Sequence, residues 1–288
     1  MRIFLYEFVT AGGTWSLSPP LDPAGSLAQE GIGMLRALAE DFRRLAGVQV
    51  LSLCDRRLSQ LNLSGCEVHE ISAPGEEFAA IKQLAARADW TLLIAPEFDG
   101  LLGQRCRLVE SVGGRLLSPD SWFVELASDK HRMAQYLAAA GVSVLAGVTI
   151  VEGERLPADF PYPAVLKPVD GAGSRNVRLV QHADDTCAST RGERRWLLEP
   201  YRRGLAASVS LLCGPGASMA LEPCGQKLSE DGRFRYLGGY TPLPDTLRQR
   251  ALQLARRVAD CLPPTVGYVG IDMVLAEDGP AWDVVIEI

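Results

Sequence analysis

The most informative stretch of the 288-residue chain is AVLKPVDGAGSRNV, residues 164–177. Its apolar start predicts a strand that carries Lys167, and a loop with Gly171 and Gly173 follows before a second strand begins at Val177. Glycines let the backbone approach a ligand, exposed loop amides bind phosphate oxygens, and a lysine adds a point charge. The segment lacks the GxxxxGK(S/T) pattern of a P-loop and the third glycine of a Rossmann fingerprint. A plain hairpin loop with a surface lysine is the alternative interpretation.

Two acidic residues near the end of the chain, Asp272 and Glu287, lie in predicted strands on either side of the turn signal Glu277–Pro280. In an antiparallel hairpin centred on this turn, Asp272 falls opposite Glu287 and Val274 opposite Val285. Opposed residues share a face, and two facing carboxylates repel unless a cation lies between them. Mg²⁺ favours carboxylates combined with phosphate oxygens. A solvated or proton-sharing pair and a general acid–base pair are the alternatives.

A third segment, Trp196–Tyr201, predicts a buried strand that ends in an acid and a proline. Such a strand end offers backbone N–H and C=O groups that can hydrogen-bond an adenine edge, although an ordinary edge turn is the alternative. Farther along the chain, Arg233 or Arg235 could bind a substrate carboxylate through two hydrogen bonds. The alternative interpretation is that both arginines belong to a basic hairpin exposed to solvent. Asp283 lies near the turn of the last hairpin, and we expect it to face solvent.

The first third of the chain alternates predicted strands and helices. This rhythm predicts a parallel sheet covered by helices, whose ligands bind beyond the carboxyl ends of the strands. The loops after Phe8 and Ala95 are therefore candidates for lining a substrate-binding site. The predicted strands are Ile3–Phe8, Val48–Cys54, Glu67–Ile71 and Trp90–Ala95, and the helices span about residues 27–45 and 76–88.

The remainder of the chain changes character at about Ser118. A helix is predicted from about Ser121 to Ala140, with Ser128-Asp129-Lys130 in its middle or at an internal break. Short strands are predicted at residues 142–151, 164–167, 177–180, 196–199 and 208–213, then a helix at about 244–261 and strands at 269–275 and 282–288.

Composition excludes several classes of protein. The net charge of −6 argues against broad binding of nucleic acid, which needs a basic face. No apolar run approaches the roughly 20 residues of a membrane span, and the N-terminal run is too short for a signal peptide. The seven cysteines form no CxxC pair and the three histidines are isolated, which argues against a disulfide framework or a zinc site. We therefore expect a cytoplasmic protein with no nucleic-acid or membrane partner.

From about Ser118 to its end, the chain resembles the ATP-grasp superfamily. The matching residues are Asp129-Lys130, Val165-Leu166-Lys167-Pro168 with the glycine loop, Leu198-Glu199-Pro200-Tyr201, Gly270-Ile271-Asp272 and Val285-Ile286-Glu287-Ile288. The resemblance implies a mixed α/β and α+β architecture, the ATP-grasp fold with an N-terminal Rossmann-like lobe. Its expected parts are an N-terminal α/β domain (residues 1–117), a small lid subdomain (118–200) and a C-terminal subdomain with the metal-binding hairpin (201–288).

The resemblance also implies a role for each matching residue, with ATP and Mg²⁺, or Mn²⁺ in its place, as cofactors. Lys130 and Lys167 would bind the ATP phosphates, and the loop of Gly171, Ala172, Gly173 and Ser174 would close over them. Glu199 and the backbone of Pro200 and Tyr201 would hold the adenine, while Asp272 and Glu287 would hold the metal ion. A substrate carboxylate would then attack the γ-phosphate, and an amine would convert the acyl-phosphate into an amide.

A smaller group within the superfamily matches over nearly the whole chain. Leu5-Tyr6-Glu7-Phe8, Gln29-Glu30-Gly31, Ile94-Ala95-Pro96-Glu97, Ser208-Val209-Ser210 and the Gly267–Asp272 segment look like tyramine–glutamate ligases of methanofuran biosynthesis. This resemblance implies that the γ-carboxylate of glutamate is joined to tyramine. The alternatives are another amino-acid or peptide ligase of this fold and a nucleotide-binding protein without catalysis. Both a monomer and a homodimer are open.

Two positions depart from the pattern of the superfamily. Where an acid often holds the ATP ribose, this chain has Gly204-Leu205-Ala206, with Leu205 in place of the acid, so ribose recognition must differ. The sequence ends at Ile288, where the superfamily continues with Asn-Pro-Arg, whose asparagine is a magnesium ligand. The resemblance therefore implies that the metal set is incomplete or that a tail is missing.

Overall fold

The structure is a computed structural model that describes residues 1–16, 22, 25–58, 61–96, 98–171, 174, 176–185 and 195–288. The chain divides into two compact units, Met1–Trp122 and Phe123–Ile288. The further division that we predict at residue 200 stays a prediction. Within the described ranges, no helix is both long enough and apolar enough to cross a membrane.

The first unit contains a four-stranded parallel sheet, as predicted. Its elements are strands β1 (Arg2–Glu7), β2 (Gln49–Asp55), β3 (Glu67–Ile71) and β4 (Trp90–Ile94), and helices α1 (Ser26–Arg43), α2 (Glu76–Ala85) and α3 (Leu101–Glu110). The strand order is β3-β2-β1-β4, so β1 is an interior strand and is buried along almost its whole length. Helix α3 was not predicted; its buried positions include Gly103 and Arg105, which do not fit a simple apolar pattern.

A closed ionic cluster lies inside the first unit. Arg105 donates from Nη2 to both carboxylate oxygens of Glu77, at 3.0 and 3.1 Å, and the two side chains are almost fully buried. The hydroxyl of Tyr6 also donates to Glu77. The guanidinium lies over the rings of Phe8 and Phe78, at 4.9 and 5.2 Å from their centroids. The cluster contains one carboxylate and one guanidinium, so its charges balance.

Two consecutive helices, which begin at the end of the first unit and continue into the second, are separated by a break at Asp129. They are α4 (Ser121–Ser128) and α5 (Lys130–Ala139). The Asp129 carboxylate accepts a hydrogen bond from the Arg132 N–H at 3.0 Å, which caps α5. Of the two alternatives that the sequence left open, the internal break is therefore correct.

A four-stranded antiparallel sheet, the small sheet, follows in the chain. Its strands are β5 (Val148–Val151), β6 (Ala164–Pro168), β7 (Arg178–Val180) and β8 (Arg195–Pro200), in the order β5-β8-β6-β7. Leu166, Trp196 and Leu198 pack in its core. Strand β5 begins only at Val148, later than the predicted start at residue 142.

A second antiparallel sheet, the large sheet, completes the unit. Its strands are β9 (Gly204–Gly214), β10 (Ala217–Ala220), β11 (Cys224–Leu228), β12 (Tyr236–Tyr240), β13 (Gly267–Ala276) and β14 (Val284–Glu287), and helix α6 spans Asp245–Cys261. Five strands follow the order β12-β11-β9-β13-β14, and β10 pairs with β9. Val209 and Ile271 pack with Leu254 of α6 in one core, so one face of this sheet is covered by helices.

The final hairpin corrects two sequence-based expectations. Asp272 does face Glu287, but a register shift follows, so that Val274 pairs with Val284 rather than with Val285. Asp283 does not face solvent. It is buried, pairs with Arg250 and accepts the Ala276 N–H at 2.8 Å, because its carboxylate closes the turn of the hairpin.

Candidate active site

A cavity of about 540 Å³ lies in the second unit and is lined by residues of both antiparallel sheets. The predicted site residues that line it are Lys130, Lys167, Gly171, Ser174, Glu199, Pro200, Tyr201, Asp272 and Glu287. Ala172 and Gly173 lie outside the described residues. The structure thus brings predicted phosphate, adenine and metal residues to one space, although they are far apart in sequence.

Lys167 is held by an ion pair on the small sheet. In the β6–β8 ladder Lys167 pairs with Leu197 and Val165 with Glu199, which makes Lys167 and Glu199 diagonal neighbours on one face. The Lys167 Nζ lies 2.7 Å from the Glu199 Oε2, and both side chains are about 6% exposed. The charged ends of both residues are therefore fixed at the cavity wall.

Lys130 occupies the first position of α5 and links three elements of the second unit. Its backbone N–H donates to the Val169 carbonyl at 3.1 Å, just after β6. Its Nζ lies 2.9 Å from the Glu287 Oε1 and also donates to the carbonyl of Gly171. The ammonium therefore lies between the glycine loop and one of the facing carboxylates.

The ionised carboxylates of Asp272 and Glu287 repel each other. Burial, followed by the negative charge of Glu287, raises the pKa of Asp272 to about 6. A hydrogen bond from Gln226 and the charge of Lys167 act in the opposite direction. The Gln226 Nε2 donates to the Asp272 Oδ1 at 2.9 Å. A raised pKa in a cavity is typical of a site that a cation or a proton completes.

The donor set fits a hard divalent cation. Two carboxylates face each other across β13 and β14, and no group of three or more His, Cys, Asp or Glu side chains suited to a metal occurs among the described residues. Mg²⁺ commonly takes one or two carboxylates and completes its shell with phosphate oxygens and water. Asp272 and Glu287 could hold such an ion together with phosphate oxygens and water.

The glycine loop begins with a backbone conformation that requires glycine. Gly171 has φ +105°, in the region that side chains rarely adopt. Ser174 lines the cavity and also has a positive φ of +54°. A bend of this kind turns the chain sharply after β6, beside Lys130.

The end of β8 offers fewer free backbone groups than predicted. The Tyr201 N–H already donates to the Pro163 carbonyl at 2.9 Å, continuing the ladder with β6, so it is not available to an adenine. Backbone groups of successive strand residues point to opposite edges, so the Pro200 carbonyl points away from β6. The Tyr201 ring stacks on Phe234 with centroids 5.9 Å apart, and both rings line the cavity.

The predicted ribose position lies at the start of β9. Leu205 packs against the core cluster under the large sheet, whereas Ala206 pairs with Val274. Side chains alternate along a strand, so Ala206 shares the face of Asp272. Leu205 and Ala206 both line the cavity and neither is an acid, so a ribose site without an acid at this position stays a prediction.

Arg233 and Arg235 do not line the cavity. Both are exposed, and the Arg235 Nη2 donates to the Asp231 Oδ2 at 2.9 Å. Their neighbours Gly232 and Phe234 do line it. The structure thus gives neither arginine a place in this cavity, and a role for them in binding a substrate carboxylate stays a prediction.

The cavity lining also includes residues that were not predicted as site residues, among them Gln226, Glu230 and Phe234. Only one indication for Gln226 was present in the sequence, its position between the predicted adenine strand and the hairpin of Asp272 and Glu287. Phe234 gave no signal, because its position depends on a turn with φ +53°.

Comparison with protein families defines the class of the chain. The family model for the ATP-grasp domain matches residues 127–288, which is more than half of the chain. A second model, the pre ATP-grasp 3 domain, matches residues 48–122. The chain therefore belongs to the ATP-grasp family, as its motifs indicate.

Individual relatives are more distant. The chain is 31% identical to the Sinorhizobium fredii protein y4rH over 209 residues, which is 67% of this chain but 41% of the relative. It is 22% identical to the tyramine–L-glutamate ligase of Methanocaldococcus jannaschii over 257 residues, covering 88% of this chain and 74% of that enzyme. The crystal structure of the D-alanine–D-alanine ligase from Bacillus anthracis complexed with ATP has a TM-score of 0.68 at 15% identity, and the match covers 100% of this chain and 85% of that chain. The fold is thus shared, while the substrates do not follow from these identities.

Proposed function

We propose that this protein uses ATP to join a carboxylate to an amine through an acyl-phosphate, releasing ADP and phosphate. One observation carries the proposal: two lysines and two facing carboxylates, from separate elements, converge on one cavity beside a glycine loop. Lysines and loop amides suit the phosphates of a nucleotide, and the carboxylate pair suits a divalent ion bound with them.

The residues of the chain act by positioning and by charge. Lys130 and Lys167 hold the phosphates in line with the substrate carboxylate, whose oxygen forms a new bond to the γ-phosphorus as ADP leaves. The amine nitrogen then bonds to the acyl carbon, phosphate departs and the amine loses a proton. Asp272 and Glu287 would hold Mg²⁺, or Mn²⁺ in its place, which neutralises phosphate charge when bound. No protein nucleophile is required.

Glutamate and tyramine are the substrates that we propose to test first. The tyramine–L-glutamate ligase of Methanocaldococcus jannaschii is 22% identical over 88% of the chain, and this similarity supports the choice. The product would be γ-glutamyltyramine, and the resemblance to these ligases is what suggests a role in methanofuran biosynthesis.

The experiment is an assay of ADP release with ATP, Mg²⁺ and a matrix of amino acids and amines that includes glutamate, tyramine and D-alanine. We expect turnover only when both a carboxylate and an amine are present. With ¹⁸O in the substrate carboxylate, one ¹⁸O should appear in the released phosphate, because the acyl-phosphate breaks at its acyl–oxygen bond.

Matched variants test the residues. Lys167→Ala should abolish turnover, whereas Lys227→Ala, at an exposed lysine outside the cavity lining, should not. Phosphate free of ¹⁸O would overturn the acyl-phosphate, and ATP binding with no turnover on any pair would favour a binding protein without catalysis.

A further inference from the structure

The ammonium of Lys130 already has two partners within the chain. Its Nζ lies 2.9 Å from the Glu287 Oε1 and also donates to the Gly171 carbonyl. The side chain of Lys130 is 8% exposed and that of Glu287 is 29% exposed. Water screens charges less when they are partly buried, so this ion pair is stronger than one at the surface. A ligand of either residue must therefore compete with the pair.

The two charged groups belong to separately anchored elements. Lys130 is the first residue of α5, and its N–H donates to the Val169 carbonyl at 3.1 Å. The preceding residue, Asp129, caps the helix and accepts a hydrogen bond at 2.7 Å from the Arg195 Nη2, at the start of β8. Glu287 is the last residue of β14 in the large sheet. The backbone thus sets the ammonium beside the carboxylate, and the contact does not depend on two freely moving side chains.

The two carboxylates proposed to hold the metal ion have different partners. Asp272 accepts its hydrogen bond from the neutral amide of Gln226, whereas Glu287 is paired with a cation. A carboxylate can bind a metal ion and keep a hydrogen bond from an amide. A divalent ion on Glu287 would instead lie close to the ammonium of Lys130, and the two cations repel. The metal ion and Lys130 therefore compete for Glu287.

A nucleotide relieves this competition. Lys130 contacts the beginning of the glycine loop, where phosphate oxygens offer the ammonium an anionic partner in place of Glu287. Once Lys130 contacts phosphate, Glu287 is free to bind the metal ion. Each ligand thus removes a cost that the other would bear alone, so their binding is coupled, and linkage makes the coupling reciprocal. The other cavity lysine, Lys167, is paired with Glu199 and provides an internal comparison.

We propose that Lys130 acts as a counter-ion for Glu287 and thereby makes tight binding of the divalent ion depend on the nucleotide. The phosphates take Lys130, and the metal ion then takes Glu287. Lys130 is in this respect a positioning residue, since it determines when Glu287 is available, in addition to its proposed contact with phosphate. The inference rests on the proposed function, because it requires that the cavity bind a nucleotide and a divalent ion.

The first test is the Kd of Mn²⁺ for the protein without nucleotide, measured from the electron paramagnetic resonance signal of free Mn²⁺. Lys130→Met removes the counter-ion and should tighten Mn²⁺ binding about tenfold. Lys167→Met removes the same charge from the same cavity but frees Glu199, so it should tighten Mn²⁺ binding by less than about threefold. Lys130→Arg keeps the charge and should bind Mn²⁺ as weakly as the wild type. Lys227→Met, at an exposed lysine outside the cavity lining, should also leave the Kd unchanged.

The second test measures the coupling itself. The Kd of the non-hydrolysable analogue β,γ-imido-ATP is determined by titration calorimetry with and without Mn²⁺, and the ratio of the two values gives the coupling. The ratio includes the direct association of Mn²⁺ with the nucleotide, which is the same for every variant. The wild-type ratio should exceed that of Lys130→Met by about tenfold. Lys130→Gln, which is polar but uncharged, should repeat both results, so that the test does not depend on the folding of one variant.

Other outcomes contradict the inference. Mn²⁺ binding to Lys130→Met and Lys130→Gln that is no tighter than to the wild type would overturn it. Equal tightening in Lys130→Met and Lys167→Met would show a general effect of cavity charge and would overturn it too. In either case, nucleotide binding by the wild type would leave the proposed function intact. Failure of the wild type to bind the nucleotide would instead refute the proposed function, and this inference with it.

Discussion

The two units of the molecule each contain a charged cluster, and the two clusters are built on opposite plans. In the first unit, Glu77 receives two hydrogen bonds from the Arg105 Nη2, and the guanidinium is covered by aromatic rings. In the second unit, Asp272 and Glu287 face each other, and Lys130 lies 2.9 Å from only one of them. The first cluster is neutral and closed, whereas the second has an excess carboxylate and opens into a cavity.

The difference separates a structural ionic group from a candidate binding group. Burial, reinforced by Glu77, raises the pKa of Tyr6 well above its usual range, so the phenol stays protonated and donates to the carboxylate. Nothing further is needed to balance that cluster. The raised pKa of Asp272 has the contrary meaning, because burial and the charge of Glu287 outweigh the Gln226 hydrogen bond and the charge of Lys167, and one positive partner, Lys130, contacts only Glu287. In this molecule an unbalanced buried charge marks the cavity, whereas the balanced cluster of the first unit is structural.

The largest effect should come from removing a carboxylate of the open cluster. Asp272→Ala should reduce ligase turnover by on the order of 10³-fold, because phosphate charge is then no longer neutralised in the reacting complex. The free energy of unfolding should not fall, since the variant removes electrostatic repulsion. ADP release and urea unfolding measure the two quantities. Asp278→Ala, in the exposed turn, is the control, and turnover of Asp272→Ala within tenfold of the wild type would contradict the assignment.

Removing the cation of the closed cluster should lower the stability of the fold. Arg105→Leu leaves Glu77 buried without its partner, which should lower the free energy of unfolding by about 3 kcal/mol. Arg44→Leu breaks an exposed pair with Asp41 and should cost less than about 1 kcal/mol. Urea unfolding of both variants gives the comparison. A loss for Arg105→Leu no greater than that for Arg44→Leu would show that the closed cluster does not stabilise the fold.

A smaller effect is expected in the pH dependence of stability without metal. The pKa of Asp272 is raised from 3.8 to about 6 in the folded protein, so the folded state binds the proton more tightly than the unfolded state. Stability should therefore be greatest below the lower value and should fall by roughly 2 kcal/mol as the pH rises through the folded pKa. Asp272→Asn should lack this component. The measurement is the unfolding free energy of the wild type minus that of Asp272→Asn, determined from pH 4 to pH 7.5. This difference should fall as the pH rises. A difference that stays constant or increases with pH would contradict the raised pKa.

The contrast between the two clusters also explains what the sequence could predict. The facing of Asp272 and Glu287 was predicted from a strand–turn–strand pattern. Nearer the turn, however, the register differs from the predicted one by a residue, with Val274 opposite Val284, and the shift between Asp272 and Met273 that restores the predicted pairing of the acids leaves no mark in composition. The pairing of Lys167 with Glu199 required knowing that β6 lies beside β8, which is a long-range contact. The burial of Arg105 is not predictable from the sequence, because the polarity of a single residue does not reveal a buried partner elsewhere in the chain. The prediction that Asp283 faces solvent was wrong for the same reason, since its partner Arg250 lies on a separate helix.

The smallest effect should come from a neutral neighbour of the open cluster, Gln226. Gln226→Leu removes the hydrogen bond that stabilises the ionised form of Asp272, so the pKa of Asp272 should rise further and its carboxylate should lose an orienting contact. We expect the Mg²⁺ concentration for half-maximal turnover to increase about fivefold, the equivalent of roughly 1 kcal/mol, with maximal turnover at saturating Mg²⁺ less affected. Lys227→Leu alters the next, exposed residue of the same strand and should leave the requirement unchanged. Gln226→Leu could instead lower turnover by the same factor at every Mg²⁺ concentration, without shifting the half-maximal concentration. In that case Gln226 would act on the substrate rather than through Asp272. The Asp272–Glu287 pair would then depend less on its neighbours than its geometry indicates.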